Sequence, residues 1–232
     1  MADSRRMRLG RVAPVVCAVL LAGCGSTVPG RPVSSAPTAV TRHVSAELPT
    51  LLPDPSQFPP PYAAVVLPQD AVAQAAGDLD GMGRGANVQP SRCVPPNQDF
   101  GPDRTAMAVG TDDATRATLT VELTRSGEPL AALRARLEQC RSVRVNRAGA
   151  ATTVTSELDS PPPIDADDTL SLRRTVRPES GGARLTQTMR THVAQVGDVR
   201  ISVTYMSFAE GEPDTPALDA LFATAVRKVR ER

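Results

Sequence analysis

The sequence predicts an α+β fold: an antiparallel sheet with helices packed on one face, two layers, and one disulfide. Three observations carry this expectation. Leu119, Val121 and Leu123 alternate with Thr118, Thr120, Glu122 and Thr124, the period of a half-buried strand. Leu130, Leu133, Leu137 and Cys140 recur at helical spacing, as do Leu218, Leu221, Phe222, Ala225, Val226 and Val229. A strand–strand–helix pattern over about residues 105–142 returns over about 185–231, with closely spaced hairpins that argue against a doubly wound parallel sheet.

The elements follow in order. Arg5, Arg6, Arg8 and Arg11 form a basic head, and residues 12–21 are apolar apart from Pro14. Small residues then lead to Cys24, which is the layout of a secretory leader over residues 1–23. The apolar run is shorter than the roughly 20 residues that span a bilayer. Residues 24–61 are rich in Pro, Ser, Thr, Ala and Val, with Pro59, Pro60 and Pro61 in sequence, so they read as an extended tether, of which residues 48–58 carry enough apolar side chains to pack on the domain. His43 falls in this tether as a solvated histidine. Residues 62–232 are long enough for one domain with its own core.

Within the domain, residues 65–67 predict a short strand and residues 69–79 a helix, stopped by Gly81-Met82-Gly83. Residues 106–109 are expected to pair with 118–124. Pro129 opens a helix whose stripe places Cys140 on the buried side. Residues 143–158 read as one strand bent at Gly149, broken by Pro161-Pro162-Pro163. Residues 169–176 give the next strand, followed by a Gly181-Gly182 turn. Residues 185–196 and 199–208 flank Gly197-Asp198 as a hairpin, and Asp214 caps the last helix.

Cysteine use fits an oxidising compartment. Cys17 leaves with the leader and Cys24 stands apart, so Cys93 and Cys140 are expected to pair. Neither has a second cysteine at zinc-ligand spacing.

Charge excludes several classes. The chain carries 26 basic and 25 acidic side chains, four and one of which lie in the leader, so the remainder carries 22 and 24. A near-neutral body with no Trp, two Tyr and four Phe is a poor nucleic-acid reader. Every basic residue but Lys228 is Arg, a composition of high-GC bacteria and above all of actinobacteria.

No catalytic motif is present. There is no G-x-S-x-G elbow and no phosphate loop; Gly81-Met82-Gly83-Arg84-Gly85 lacks the Lys and Ser/Thr that would follow. His192 is the domain's single histidine and reads as an exposed strand residue rather than a general base. Asp112-Asp113 and Asp165, Asp167 and Asp168 read as turn acids rather than calcium ligands. No metal and no cofactor are expected. The hydroxyl-rich positions Thr118, Thr120, Thr186, Thr188, Ser202 and Thr204, with Arg190 and His192, are expected on the sheet face opposite the helices. Thr188, Arg190, His192 and Thr204 are the candidate ligand-binding residues.

Leu21-Ala22-Gly23-Cys24 resembles the lipobox of bacterial lipoproteins. The resemblance implies that the Cys24 thiol accepts a diacylglycerol and that the leader is cut before it. It places the chain on the outer face of the cell membrane, anchored through Cys24, and two or more acyl chains hold a protein there stably. With the Pro-rich tether, the Cys93/Cys140 spacing, the "DVRISVTYM" strand and the C-terminal helix, the chain resembles a group of mycobacterial lipoproteins of unknown function. That group is distantly similar to the extracellular sensor domain of a mycobacterial Ser/Thr protein kinase. The resemblance implies a disulfide-bonded α+β fold with a ligand cleft. The function expected is therefore a lipid-anchored, non-enzymatic binding or sensor-like module of the cell envelope, its partner an envelope lipid, a cell-wall fragment or a protein. The alternatives are an envelope hydrolase using dispersed carboxylates or His192, and a structural or assembly lipoprotein.

Overall fold

A computed structural model describes residues 40, 42–83, 85–180, 186–208 and 212–232. The leader, Cys24, most of the tether and the Gly181-Gly182 turn lie outside the described residues.

Among the described residues there are nine strands, β1 (Ala63–Val66), β2 (Asn87–Gln89), β3 (Thr105–Thr111), β4 (Thr118–Arg125), β5 (Ser142–Arg147), β6 (Ala150–Asp159), β7 (Asp168–Pro178), β8 (Gln187–Val196) and β9 (Val199–Ser207). They form one antiparallel sheet in the order β1-β3-β4-β9-β8-β7-β6-β5-β2. The helices are α1 (Leu48–Leu51), α2 (Gln69–Leu79), α3 (Leu130–Gln139) and α4 (Thr215–Arg230). Residues 143–158, expected as one bent strand, are two: Ala148 and Gly149 both have positive φ, at 50° and 82°, and close a tight β5–β6 hairpin.

The α+β class and the antiparallel sheet stand as expected. The helices do not all lie on one face. Strand pairing puts Ala108, Val121 and Val203 in one row, which faces α4 and α1. The neighbouring row, Met107, Glu122, Ser202, Val193 and Leu170, points the other way. Its two ends are covered separately: Met107 by Val72 and Ala76 of α2, Leu170 and Val193 by Leu130, Leu133 and Leu137 of α3. Both faces of the sheet are apolar somewhere, so both need a cover.

The main core lies beneath α4. Asp214 caps this helix by accepting from the Ala217 amide, and Leu218, Leu221, Phe222, Val226 and Val229 are buried on β4, β8 and β9. Burial of five such side chains is worth on the order of 10 kcal/mol before the entropy of ordering them is counted.

The packed body begins earlier than residue 62. Val44, Leu48, Leu51, Leu52 and Phe58 are buried in the same core, so residues 44–58 belong to the domain rather than to a tether. A polar clasp fixes their lead-in. Asp198 Oδ1 accepts from the Val44 amide and from Arg125, Asp198 Oδ2 contacts His43 Nδ1 at 2.6 Å, and Arg125 donates to the Val44 and Ala46 carbonyls. Arg42 grips Asp167 with one amino group, 3.1 and 2.8 Å from the two carboxylate oxygens. Gly197 is required where the segment crosses the β8–β9 turn: its φ is +56°, and a Cβ there would stand 2.7 Å from the Arg42 carbonyl oxygen.

Candidate functional site

The sheet face shared by α2 and α3 is left open between them. The gap is a cleft of about 560 Å³. One side is the end of α2 (Ala76, Leu79) and the 95–99 loop; the other is α3 (Leu133, Arg136, Leu137) and the disulfide. The floor changes character across the sheet, apart from Ser156 of β6 and Arg174 of β7, which are polar. Thr124 and Glu122 of β4, Ser202 and Thr204 of β9 and Thr191 of β8 are polar; Val193, Leu172, Val154 and Val143, from β8 to β5, are apolar.

Cys93 and Cys140 are bonded, with Cα atoms 5.7 Å apart. The bridge joins the end of α3 to the chain that follows β2, and so ties the apolar wall of the cleft together. Cys93 is buried and packs with Val143, Val145 and Val154.

The charges around the cleft are held partly by ion pairs and partly by neutral partners, as Arg174 is by the Leu79 carbonyl and the Ser156 hydroxyl. Arg136 clamps Glu128 with two hydrogen bonds of 3.0 Å, which holds the Glu128 carboxyl below its usual range. Arg200 donates to the Glu128 carbonyl at 2.7 Å and to Gln195 Oε1. Burial pushes the Asp80 carboxyl up, although it accepts from the Met82 and Gly83 amides and lies in the field of Arg174. Burial also pushes the Glu122 carboxyl up, against a 2.8 Å hydrogen bond from Gln98. Thr191 and Thr204 hydroxyls bond each other at 3.0 Å.

The four candidate ligand-binding residues do not come together. Thr204 is on the cleft floor. Thr188, Arg190 and His192 project from the opposite face, because Val196 pairs with Val199 across the two-residue turn, which opposes odd-numbered residues of β8 to even-numbered ones of β9. Thr188 donates to the Ser207 carbonyl. Arg190 lies 3.5 Å from Asp159 and reaches Thr215 at the start of α4.

His192 is not an exposed strand histidine. It is 2 % exposed, beneath α4, with its ring 5.3 Å from that of Phe222. Its Nε2 lies 2.8 Å from Asp219 and its Nδ1 2.9 Å from Ser171 Oγ. The carboxylate can only accept, so Nε2 carries the hydrogen and Nδ1 accepts from Ser171. Burial pulls the imidazole below its ordinary value, with Asp219 opposing. The order Ser–His–Asp is that of a hydrolase triad, but Ser171 is fully buried and offers no face to a substrate.

The turn acids each have a local role. Asp112 accepts from Ala114 and Thr115, while Asp165, Asp167 and Asp168 pair with Arg230, Arg42 and Arg134. Sequence reasoning missed Glu122, Arg174, Arg200 and the α3 wall, whose partnership depends on which helix covers which end of the sheet.

The described residues thus form a nine-stranded antiparallel sheet covered on both faces, with an open cleft braced by a disulfide. The chain belongs to the DUF5642 family, a domain of unknown function, which matches residues 54–230. Its fold is similar to that of the extracellular domain of PknH from Mycobacterium tuberculosis, with a TM-score of 0.51 and 12% identity over 83% of this chain and 100% of that one. A putative uncharacterized protein from Mycobacterium smegmatis, an Rv0999 ortholog, has a TM-score of 0.46 and 18% identity over 75% of this chain and 92% of that one. No curated protein matches the chain.

Proposed function

We propose that this protein is a non-enzymatic binding module of the cell envelope, held to the outer face of the membrane through Cys24, with its ligand in the cleft between α2 and α3. The observation that carries the reading is the cleft itself: hydroxyls and a carboxyl stand on a sheet face where two helices could have met and closed a core. The fold shared with an extracellular domain supports an extracytoplasmic site of action. Among the described residues no helix is long and apolar enough to cross a membrane, so attachment rests on the lipobox-like Leu21-Ala22-Gly23-Cys24. The buried Ser171 and the substrate-inaccessible His192 weigh against hydrolysis.

The test is native mass spectrometry of the exported chain after exposure to organic and aqueous extracts of the envelope. A discrete adduct in the natural protein, lost in Ser202→Trp, is the expected result. Equal adducts in both proteins, or none in either, would overturn the cleft as the seat of binding.

A further inference from the structure

We propose that the occupant of the cleft is an amphiphile: a hydrocarbon chain with an uncharged, hydroxyl-bearing head group. This rests on the reading of the cleft as a binding seat and names the class of ligand. The sheet order supplies the argument. Moving across the floor from β4 and β9 to β7, β6 and β5, the side chains pass from Thr124, Ser202 and Glu122 to Leu172, Val154 and Val143, with Arg174 and Ser156, bonded to each other, as the polar exceptions on β7 and β6. The apolar half is walled by Leu133 and Leu137 of α3. A ligand that is polar throughout would leave this half wetted, and its burial is where affinity is available. With so few aromatic residues in the chain, sugar stacking is not the alternative source of binding energy.

The charge state of the head group follows from the partners already in place. Arg136 and Arg200 are engaged by Glu128, Arg125 by Asp198, and Arg104 by Asp99. A phosphate or carboxylate at Arg136, Arg200 or Arg125 would have to break one of these pairs and leave the part-buried Glu128 or Asp198 carboxylate unpaired. Arg174 of β7 has no such pair among the described residues, but it donates to the Leu79 carbonyl and the Ser156 hydroxyl two strands away from β9, so the groups offered at the β4–β9 end are neutral. Among the described residues the hydroxyls of Thr124 and Ser202 have no hydrogen-bond partner, and beside them Glu122, its carboxyl pushed up by burial, accepts from Gln98. These groups match alcohol hydroxyls. The geometry sets the head over β4 and β9 and the chain under α3.

The protein has no tryptophan, so Leu137→Trp places a lone fluorophore at the apolar end. The chain from residue 24 onward, carrying Cys24→Ser so that no acyl group is attached, is titrated with a monoacylglycerol bearing a brominated stearoyl chain. The expected result is saturable quenching of the tryptophan. Adding Ser202→Ala and Thr124→Val should weaken it about tenfold, with the melting temperature of the unliganded protein little changed. Brominated stearate, with a charged head, should bind more weakly than the monoacylglycerol. Stearate binding as tightly overturns the uncharged head group. No quenching by either lipid, while a soluble cell-wall oligosaccharide shifts the tryptophan emission, overturns the amphiphile and leaves the cleft as a binding seat. No response to any of the three overturns both.

Discussion

His192 is the residue at which a simple expectation and the physical result differ most. Burial depresses its pKa below the ordinary 6.5. The unfolded chain therefore takes up a proton before the folded one does, so stability contributed by the neutral ring is present at neutral pH and lost as pH falls through 6.5. His192→Gln, which keeps a donor toward Asp219 but does not titrate, should be less stable at pH 7 and lose less stability than the natural protein between pH 7 and 5.5. Denaturant midpoints across that range measure it; parallel curves would remove His192 as the titrating group. Glu122 has the opposite sign. Its carboxyl is pushed up, so its contribution is full at low pH and lost as pH rises through its folded value. Glu122→Gln should raise the melting temperature at pH 7 and have little effect at pH 4. The side of the sheet on which these residues fall was legible in part. The Gly197-Asp198 turn is plain in the sequence, and a two-residue turn fixes Val196 opposite Val199. That parity sends His192 to the face of Val203, not to that of Thr204; counting strand positions from each strand separately loses it.

At the scale of elements, strands and helices were the legible part. Residues 69–79, the β8–β9 hairpin and the capped last helix lie where alternation and helical spacing put them. The β5–β6 reversal was hidden because Ala148-Gly149 sits in a run whose alternation continues on both sides. The Cys93–Cys140 bridge closes a separation of 47 residues, and removing it by Cys93→Ser with Cys140→Ser should cost about 4 kcal/mol on the chain-entropy account. Urea titration reads this directly, and an unchanged midpoint would mean that the bridge constrains nothing. The clasp around Asp198 is a second element-scale device. In the folded protein the Asp198 carboxyl is held below its usual range because the Val44 amide, His43 and Arg125 together outweigh the burial that would raise it. Asp198→Ala should release residues 42–46 to hydrogen exchange and proteolysis, with a loss of about 2 kcal/mol.

For the whole molecule, the decisive fact is that helices occupy both faces of the sheet. Pattern alone does not tell which face a crossover takes: the two strand–strand–helix runs look alike, yet α3 packs on β6 and β7 while α4 packs on the opposite face against β8 and β9. The cleft exists because of that difference, and so could not be read from the alternation of any one strand. The start of the body was hidden for another reason. Prolines mark residues 49–61 as extended chain, but Val44, Leu48, Leu51 and Leu52 are all at most 2 % exposed. A chain begun at residue 54, where the family match starts, should lose roughly 6 kcal/mol of burial relative to one begun at residue 40. Against the few kcal/mol by which small domains are stable, such a chain is expected to melt without a cooperative transition. Calorimetry of the two lengths is the comparison to make, and equal transitions would show that the first ten residues of the body add nothing.

Strand β9 lies in the middle of the sheet but near the end of the chain, between β4 and β8, and α4 seals the core only after it. Leu119 waits for Tyr205, and Leu48 for α4, so the first and last parts of the body are completed together. The β5–β9 meander pairs strands that are neighbours in sequence, but β1, β3 and β4 join it only through β9, a pairing of high sequence separation. The two halves of the sheet are thus riveted at β9 and sealed by the last sixteen helical residues, so a chain shortened at its end loses the joint between them and not merely a terminal helix.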